Sequence, residues 1–214
     1  MNKSFLLAAV LTAGALTVEA QYNDKGTFHV AIGLAAGAHG TEYEQTVRIL
    51  GIPFTDTHTD GAATVTMPIE LDYGFAKVFS LGLYVEPGAY LDSNATERNG
   101  LLLAGLQPRF YLVNGDRFAL MASLQFGSSR LNIERDEDAV KTESRYRGGH
   151  FGLGAGAVFQ FSDLIGLQVH LRYVGTVMTL QDYEVNGQGV SLDDFDAELR
   201  TRGVAIQTSL AFRF

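Results

Sequence analysis

The chain has 214 residues, 46% of them apolar, which is enough for one or two domains with a sizeable core and excludes a chain dominated by disorder. It holds 24 Gly and 14 Phe but no Cys and no Trp, which excludes a disulfide scaffold and thiol-based metal or redox chemistry. With 24 acidic against 16 basic residues the net charge is -8, the wrong sign for wrapping nucleic acid, so no nucleic-acid partner is expected.

Residues 1–20 read as a secretory signal. Lys3 supplies the positive start, Phe5 to Val18 form an apolar run, and Val18-Glu19-Ala20 sets small residues at the cleavage positions before Gln21. That run is shorter than the roughly 20 residues a spanning helix needs. The expectation is therefore an exported chain whose mature part is 21–214, with no lipid-anchoring Cys behind the signal.

The mature chain alternates apolar and polar residues with a period of two, the signature of strands rather than helices. The first segment sets Phe28, Val30, Ile32 and Leu34 against His29, Ala31, Gly33 and Ala35. The second sets Val65 to Phe75 against Thr66, Glu70, Asp72 and Gly74, and the third sets Leu81, Leu83, Val85 and Leu91 against Gly82, Tyr84, Glu86 and Tyr90. In the fourth, Leu102, Leu106, Phe110 and Leu112 oppose Gly105, Gln107, Arg109 and Tyr111; in the fifth, Phe118, Leu120, Leu124 and Phe126 oppose Ser123, Gln125 and Gly127. The sixth alternates from His150 to Phe161, the seventh from Leu167 to Tyr173, and the eighth from Gly203 to Phe214.

The connections alternate in length. Residues 77–80, 114–117 and 162–165 are tight turns, while long polar segments lie near 40–62, 93–100, 131–146 and 182–200. Eight strands with short turns on one rim and long loops on the other give an all-β fold: an eight-stranded antiparallel up-and-down transmembrane β-barrel of the outer-membrane kind. Pro68, Pro87 and Pro108 fall inside strands, and each marks a candidate bulge beyond which the inward and outward faces would exchange. A soluble lipocalin-like barrel is the competing architecture. It would need a charged exterior, yet the lysines, at 3, 25, 77 and 141, all lie outside the strand cores. Phe28, Phe75, Phe79, Phe118, Phe159, Phe161, Phe212 and Phe214 gather toward the short-turn rim, where an aromatic girdle would meet lipid headgroups.

On these residues the chain resembles the small bacterial outer-membrane barrels that include the transmembrane domain of outer-membrane protein A and its eight-stranded relatives. The alternation Leu210-Ala211-Phe212-Arg213-Phe214 is similar to the signal that family presents to the outer-membrane assembly machinery. The resemblance implies a place in the outer membrane of a Gram-negative bacterium, among lipids and lipopolysaccharide. It extends to relatives that modify lipids, but the His-x-Ser pattern of the lipid A deacylases is absent.

Charges on the inward face define the first candidate site, because an ionisable group at membrane depth must face inward and be paired. Glu70 and Glu86 lie on one hairpin, Arg109 on the next strand and Arg172 across the lumen; Tyr84, Tyr111, Gln125 and Gln207 complete the polar set. Arg109 is expected to be the nearest cation to both glutamates. The set is either a gate for an ion path or a plug; an eight-stranded lumen is narrow enough for side chains to fill, which favours the plug. Ser129, His150 and Asp92 carry the residue types of a hydrolase triad. Asp193, Asp194, Asp196 and Glu198 crowd the last long loop without the spacing of a calcium loop, and the histidines lack metal-ligand spacing. Gly148, Gly149, Gly152, Gly154 and Gly156 read as close lumen packing. No enzyme activity, metal or cofactor is expected. The function expected is structural or adhesive, through long loops above a plugged lumen and an unknown extracellular partner; the alternatives are a narrow channel for ions or small hydrophobic solutes and, third, a lipid-modifying enzyme.

Overall fold

A strand that crosses a bilayer needs only about 9–11 tilted residues, yet β1 has 22, β7 and β8 have 21 each, and β6 has 20. The computed structural model describes residues 21–92, 99–137 and 140–214, so the expected signal segment 1–20 and most of the connection near 93–100 lie outside the described residues. Within them the strands are β1 (Phe28–Ile49), β2 (Ile52–Thr66), β3 (Ile69–Ala76), β4 (Phe79–Asp92), β5 (Asn99–Asn114), β6 (Phe118–Glu137), β7 (Val140–Gln160), β8 (Ile165–Val185), β9 (Gln188–Gly189) and β10 (Phe195–Arg213). β2 and β3 are one strand interrupted at Met67-Pro68, and β9 is a stub against β8, so the wall has eight staves. Each pairs antiparallel with its sequence neighbours, and β10 pairs with β1 to close the ring.

The eight sequence segments all fall on these staves, with the predicted inward and outward faces. Register survives all three prolines: Pro87 stands opposite Leu102 and Pro108 opposite Leu81 in an unshifted ladder, and across Pro68 the pairing Ala35–Thr66 continues as Ile32–Ile69 and Thr66–Gly88 continues as Ile69–Val85. Pro68 interrupts its strand, but the wall remains bonded there, because Gly33 N donates to Pro68 O at 3.1 Å and Met67 N to Pro87 O at 2.8 Å. The true irregularities lie elsewhere, at Gly74/Ala76, Tyr111/Val113 and Arg145/Tyr146. The first two sit beside the tight turns, where bulges re-aim strands at barrel rims.

The long polar segments depart from the loops expected of them. Residues 40–49 and 52–62 pair as a continuous hairpin, as do 131–137 and 140–146, while β8 runs to Val185 before turning. Above the bilayer the outer face meets water, so the apolar-polar alternation fades although the ladder continues. The β1–β2 hairpin turns on Leu50-Gly51 with φ of 54° and 79°, and the end of β8 turns on Asn186-Gly187 with 50° and 76°. Positive φ at both central residues is the two-residue turn whose twist matches that of paired strands.

The outer wall is apolar over its lower half, with Leu34, Leu83, Leu112, Phe151, Leu171 and Ile206 exposed. No polar exterior of a soluble barrel is present there, and lipid is the medium such a wall fits. Around the short-turn rim the aromatics touch in series: Phe28–Tyr73 at 4.9 Å, Tyr73–Phe75 at 4.9 Å, Phe75–Phe79 at 6.2 Å and Phe79–Phe110 at 5.2 Å between ring centroids. Phe118–Phe159 adds a further pair at 5.1 Å. A closed, fully bonded ring resists detergent until boiled. The mature chain is therefore expected to fractionate with membranes and to run at different gel positions before and after boiling; recovery as a freely soluble protein would contradict the fold.

Candidate functional site in the barrel lumen

The period of two sends every second side chain inward, and in a ring of eight staves those side chains meet across the axis. In the lower half they are charged. Arg109 on β5 reaches the two carboxylates of β3, with Nη2 at 2.5 Å from Glu70 Oε2 and Nη1 at 2.8 Å from Asp72 Oδ2. Gln168 and Gln207 donate to Glu70 at 2.9 and 3.0 Å, and Gln107 accepts from Arg109 at 2.9 Å. Asp72 has room because Gly82 stands opposite it; a Cβ on Gly82 would lie 2.3 Å from Asp72 Oδ1.

A second cluster lies one step higher. Arg172 on β8 grips Glu86 on β4 with both terminal nitrogens, each at 2.8 Å, while Thr66 donates to Glu86 at 2.5 Å and Gln125 accepts from Arg172 at 3.2 Å. The expectation that Arg109 serves both glutamates is therefore corrected: Glu86 belongs to Arg172, because the hairpin places Glu86 beyond Tyr84, the cross-strand partner of Glu70. Tyr111 bonds Ser80 at 3.3 Å, and Tyr84 meets Nε2 of His150. Asp72 joins the cluster from outside the expected set, on the same inward face two residues from Glu70, a place that the alternation of the sequence gives it.

The short-turn mouth is covered by a segment that carried no signal. Tyr22 and Asn23 are buried, and Tyr22 stacks on His29 with centroids 4.4 Å apart. Asn23 donates through Nδ2 to Ala76 O at 2.7 Å and through its backbone N to Asn114 Oδ1 at 2.9 Å; Tyr22 N donates to Gly115 O at 3.1 Å.

Higher in the lumen an apolar cluster takes the place of the ion pairs. Tyr90, Leu101, Leu103, Leu131, Tyr146, Met178 and Leu199 pack together, with Tyr43, Ile133, Leu180 and Phe195 against them. Above them opens a cavity of about 610 Å³, lined among others by Tyr43, Ile133, Tyr146, Leu180, Phe195 and Asp92. Between it and the charged floor, Leu101, Leu103 and Met178 leave about 30 Å³ beside Glu86 and Arg172, room for one or two waters.

The remaining candidates separate. Ser129 donates to Gly149 O at 3.3 Å while His150 bonds Tyr84, so the two do not form a nucleophile-base pair. A serine-histidine contact does exist between Ser123 and His170 at 2.8 Å, but both are buried in the floor. In the acidic loop, Asp196 pairs with Arg48 at 2.6 Å, Glu198 with Arg200, and Asp193 accepts from Ser191 at 2.7 Å. Among the described residues no group of three His, Asp or Glu is placed to hold a metal ion. Of the clustered glycines, Gly148, Gly152, Gly154 and Gly156 face the lumen and Gly149 faces outward; a Cβ on Gly154 would meet His170 and Ser123 within 2.8 Å.

Removing one partner of a buried ion pair costs about 3–5 kcal/mol, because the other charge stays buried. Arg109 pairs with two carboxylates and Arg172 with one, so Arg109→Ala is expected to lower the thermal midpoint of unfolding further than Arg172→Ala. Asp72→Asn removes the excess negative charge of its cluster and is expected to change stability by only about 1 kcal/mol. Equal midpoints for the two arginine variants would contradict this partition.

No protein-family model matches the chain, and no curated protein matches it in sequence. Its fold matches solved structures. Outer membrane protein OprG from Pseudomonas aeruginosa superposes with a TM-score of 0.59 at 11% identity, over 90% of this chain and 97% of that one. Outer membrane protein AlkL, solved in lipid bilayers, superposes with a TM-score of 0.50 at 10% identity, over 93% of this chain and 95% of that one. Together with the closed ring, the apolar outer wall and the aromatic band, these matches place the chain, by fold, among the small eight-stranded β-barrels of the outer membrane.

Proposed function

We propose that this barrel sits in the outer membrane of a Gram-negative cell and acts by contact at the cell surface, with its lumen closed by side chains. The observation that carries this reading is the apex of the β1–β2 hairpin. Leu50 is 98% exposed there and holds a left-handed φ of 54°, a conformation that costs a residue with a Cβ about 1–2 kcal/mol. Val47, Ile49, Ile52 and Phe54 around it are exposed as well. The left-handed φ serves the hairpin turn, but the apolar side chains of this apex gain nothing inside the fold, and such a patch at the end of a rigid hairpin suits docking on an apolar partner. The two ion-pair clusters and the Tyr22-Asn23 segment favour a plug over an ion path.

Cells displaying the protein are expected to partition into hexadecane more than cells displaying the Leu50→Asp, Phe54→Ser variant, by severalfold, at equal surface levels. Equal partitioning of the two would remove the contact role. The wild-type barrel is also expected to conduct poorly in planar bilayers; a large steady pore would replace the plug with a channel.

A second reading has its own observation. The cavity of about 610 Å³ lies within the 300–1,000 Å³ typical of small-molecule sites and sets Tyr43, Ile133, Tyr146, Leu180 and Phe195 beside Asp60, Asp92 and Arg135, a mixed lining that supports binding or passage of a small, mainly hydrophobic solute held by a few polar contacts. The terminal Leu210, Phe212 and Phe214 serve, in this reading of the chain, as the signal to the assembly machinery. Deleting Phe214 is then expected to slow insertion in cells more than refolding in detergent; equal loss in both would make its role structural.

A further inference from the structure

Outward arginines on the upper wall are paired almost everywhere. Arg48 bonds Asp196, Arg145 bonds Glu143 and Glu184, and Arg200 bonds Glu42 and Glu198. Arg130, Arg147 and Arg202 are the exceptions: all three are exposed, and among the described residues none has a side-chain hydrogen bond or an ion pair. Arg130 and Arg147 are direct cross-strand partners on β6 and β7, which puts their Cβ atoms about 5 Å apart. Like charges so placed repel, and among the described residues no carboxylate pairs with either to offset the repulsion.

Their position suggests what does. Toward the membrane on the same outward face, β6 continues to Phe126, β7 to Phe151, β8 to Tyr173 and β10 to Val204, all exposed and apolar. The three arginines therefore mark the upper border of the lipid-facing band, the level at which outer-leaflet headgroups begin. The wall between them is hollowed by small residues: Gly149 and Gly175, with Phe151, Val177 and Arg202, line a depression of about 390 Å³.

We propose that this face binds the phosphate groups of an outer-leaflet phosphoglycolipid, with Arg130 and Arg147 gripping one phosphate, Arg202 reaching across the depression, and acyl chains lying on Phe151 and Tyr173. The guanidinium fork matches phosphate oxygens two at a time, and two opposed forks turn a repulsive pair into an anion clamp. The acyl track directly beneath argues for a lipid rather than a free ion. The site rests on the outer-membrane placement and is independent of the adhesive and solute-binding readings.

The test is native mass spectrometry of the mature chain, refolded in dodecyl maltoside and titrated with bis-phosphorylated lipid A. Arg130→Gln with Arg147→Gln is expected to weaken binding tenfold or more, Arg202→Gln severalfold, and Arg117→Gln at the opposite rim not at all. Dephosphorylated lipid A should bind wild type no better than the double variant binds the phosphorylated form. The proposal is overturned if the double variant binds as wild type does, if the dephosphorylated lipid binds equally, or if millimolar inorganic phosphate displaces the lipid, which would mark a free-anion site. The unboiled gel shift separates lost binding from a lost barrel. Failure of the placement itself would show instead as a wild-type chain that never leaves the soluble fraction.

Discussion

A sheet surrounded by hydrocarbon cannot leave an edge unpaired, since each bare amide or carbonyl costs several kcal/mol with no water to replace its partner. In this chain the obligation is met at one seam, where β10 and β1 pair without a break from His29 opposite Arg213 to Val47 opposite Phe195. The ring ends on a reciprocal pair, Phe28 N to Phe214 O at 3.0 Å and Phe214 N to Phe28 O at 2.8 Å. Everything else follows from closing the ring on eight staves. The lumen is narrow, its side chains cannot avoid one another, and any charge sent inward must find its opposite there.

The lumen answers that requirement in two ways along its axis. At the depth of the lipid-facing band, arginines and carboxylates pair in two clusters, one with a formal charge of -1 and one neutral. Above them Tyr, Leu and Met form an apolar layer that excludes water by packing rather than by pairing, and over that layer opens the cavity with Asp60, Asp92 and Arg135 on its wall. The charged storey costs desolvation that an apolar filling would not, so its return lies in fixing which strands face which: Arg109 ties β5 to β3, and Arg172 ties β8 to β4 across the axis.

Strand number, faces and the sides of the turns were legible because within the bilayer each stave must present lipid on one face and side-chain packing on the other. Legibility ended where that asymmetry ends. The stretch Thr55-Asp56-Thr57-His58-Thr59-Asp60 reads as a polar loop by hydropathy, yet its alternating β-branched threonines continue the ladder to Ile49 and Ile52. Asn186-Gly187 carried a hairpin signal inside a segment dismissed as loop, whereas Leu50-Gly51 carried only half of one. In the lumen, each predicted polar residue is inward, but the pairing of Glu86 with Arg172 is a fact of barrel geometry that strand alternation cannot supply. The role of Tyr22 and Asn23 was equally invisible, since they precede the first strand and their partners lie in turns far along the chain.

That last feature orders events in time. The partners of Tyr22 and Asn23 are backbone and side-chain atoms at Ala76, Asn114 and Gly115, and Gln21 O accepts from Arg213 near the chain's end at 3.2 Å. A docking surface assembled from residues 76 to 213 does not exist until the final stave has arrived. Residues 21–23, which precede every strand, are thus the last to settle, and their docking closes the short-turn mouth only over a finished ring.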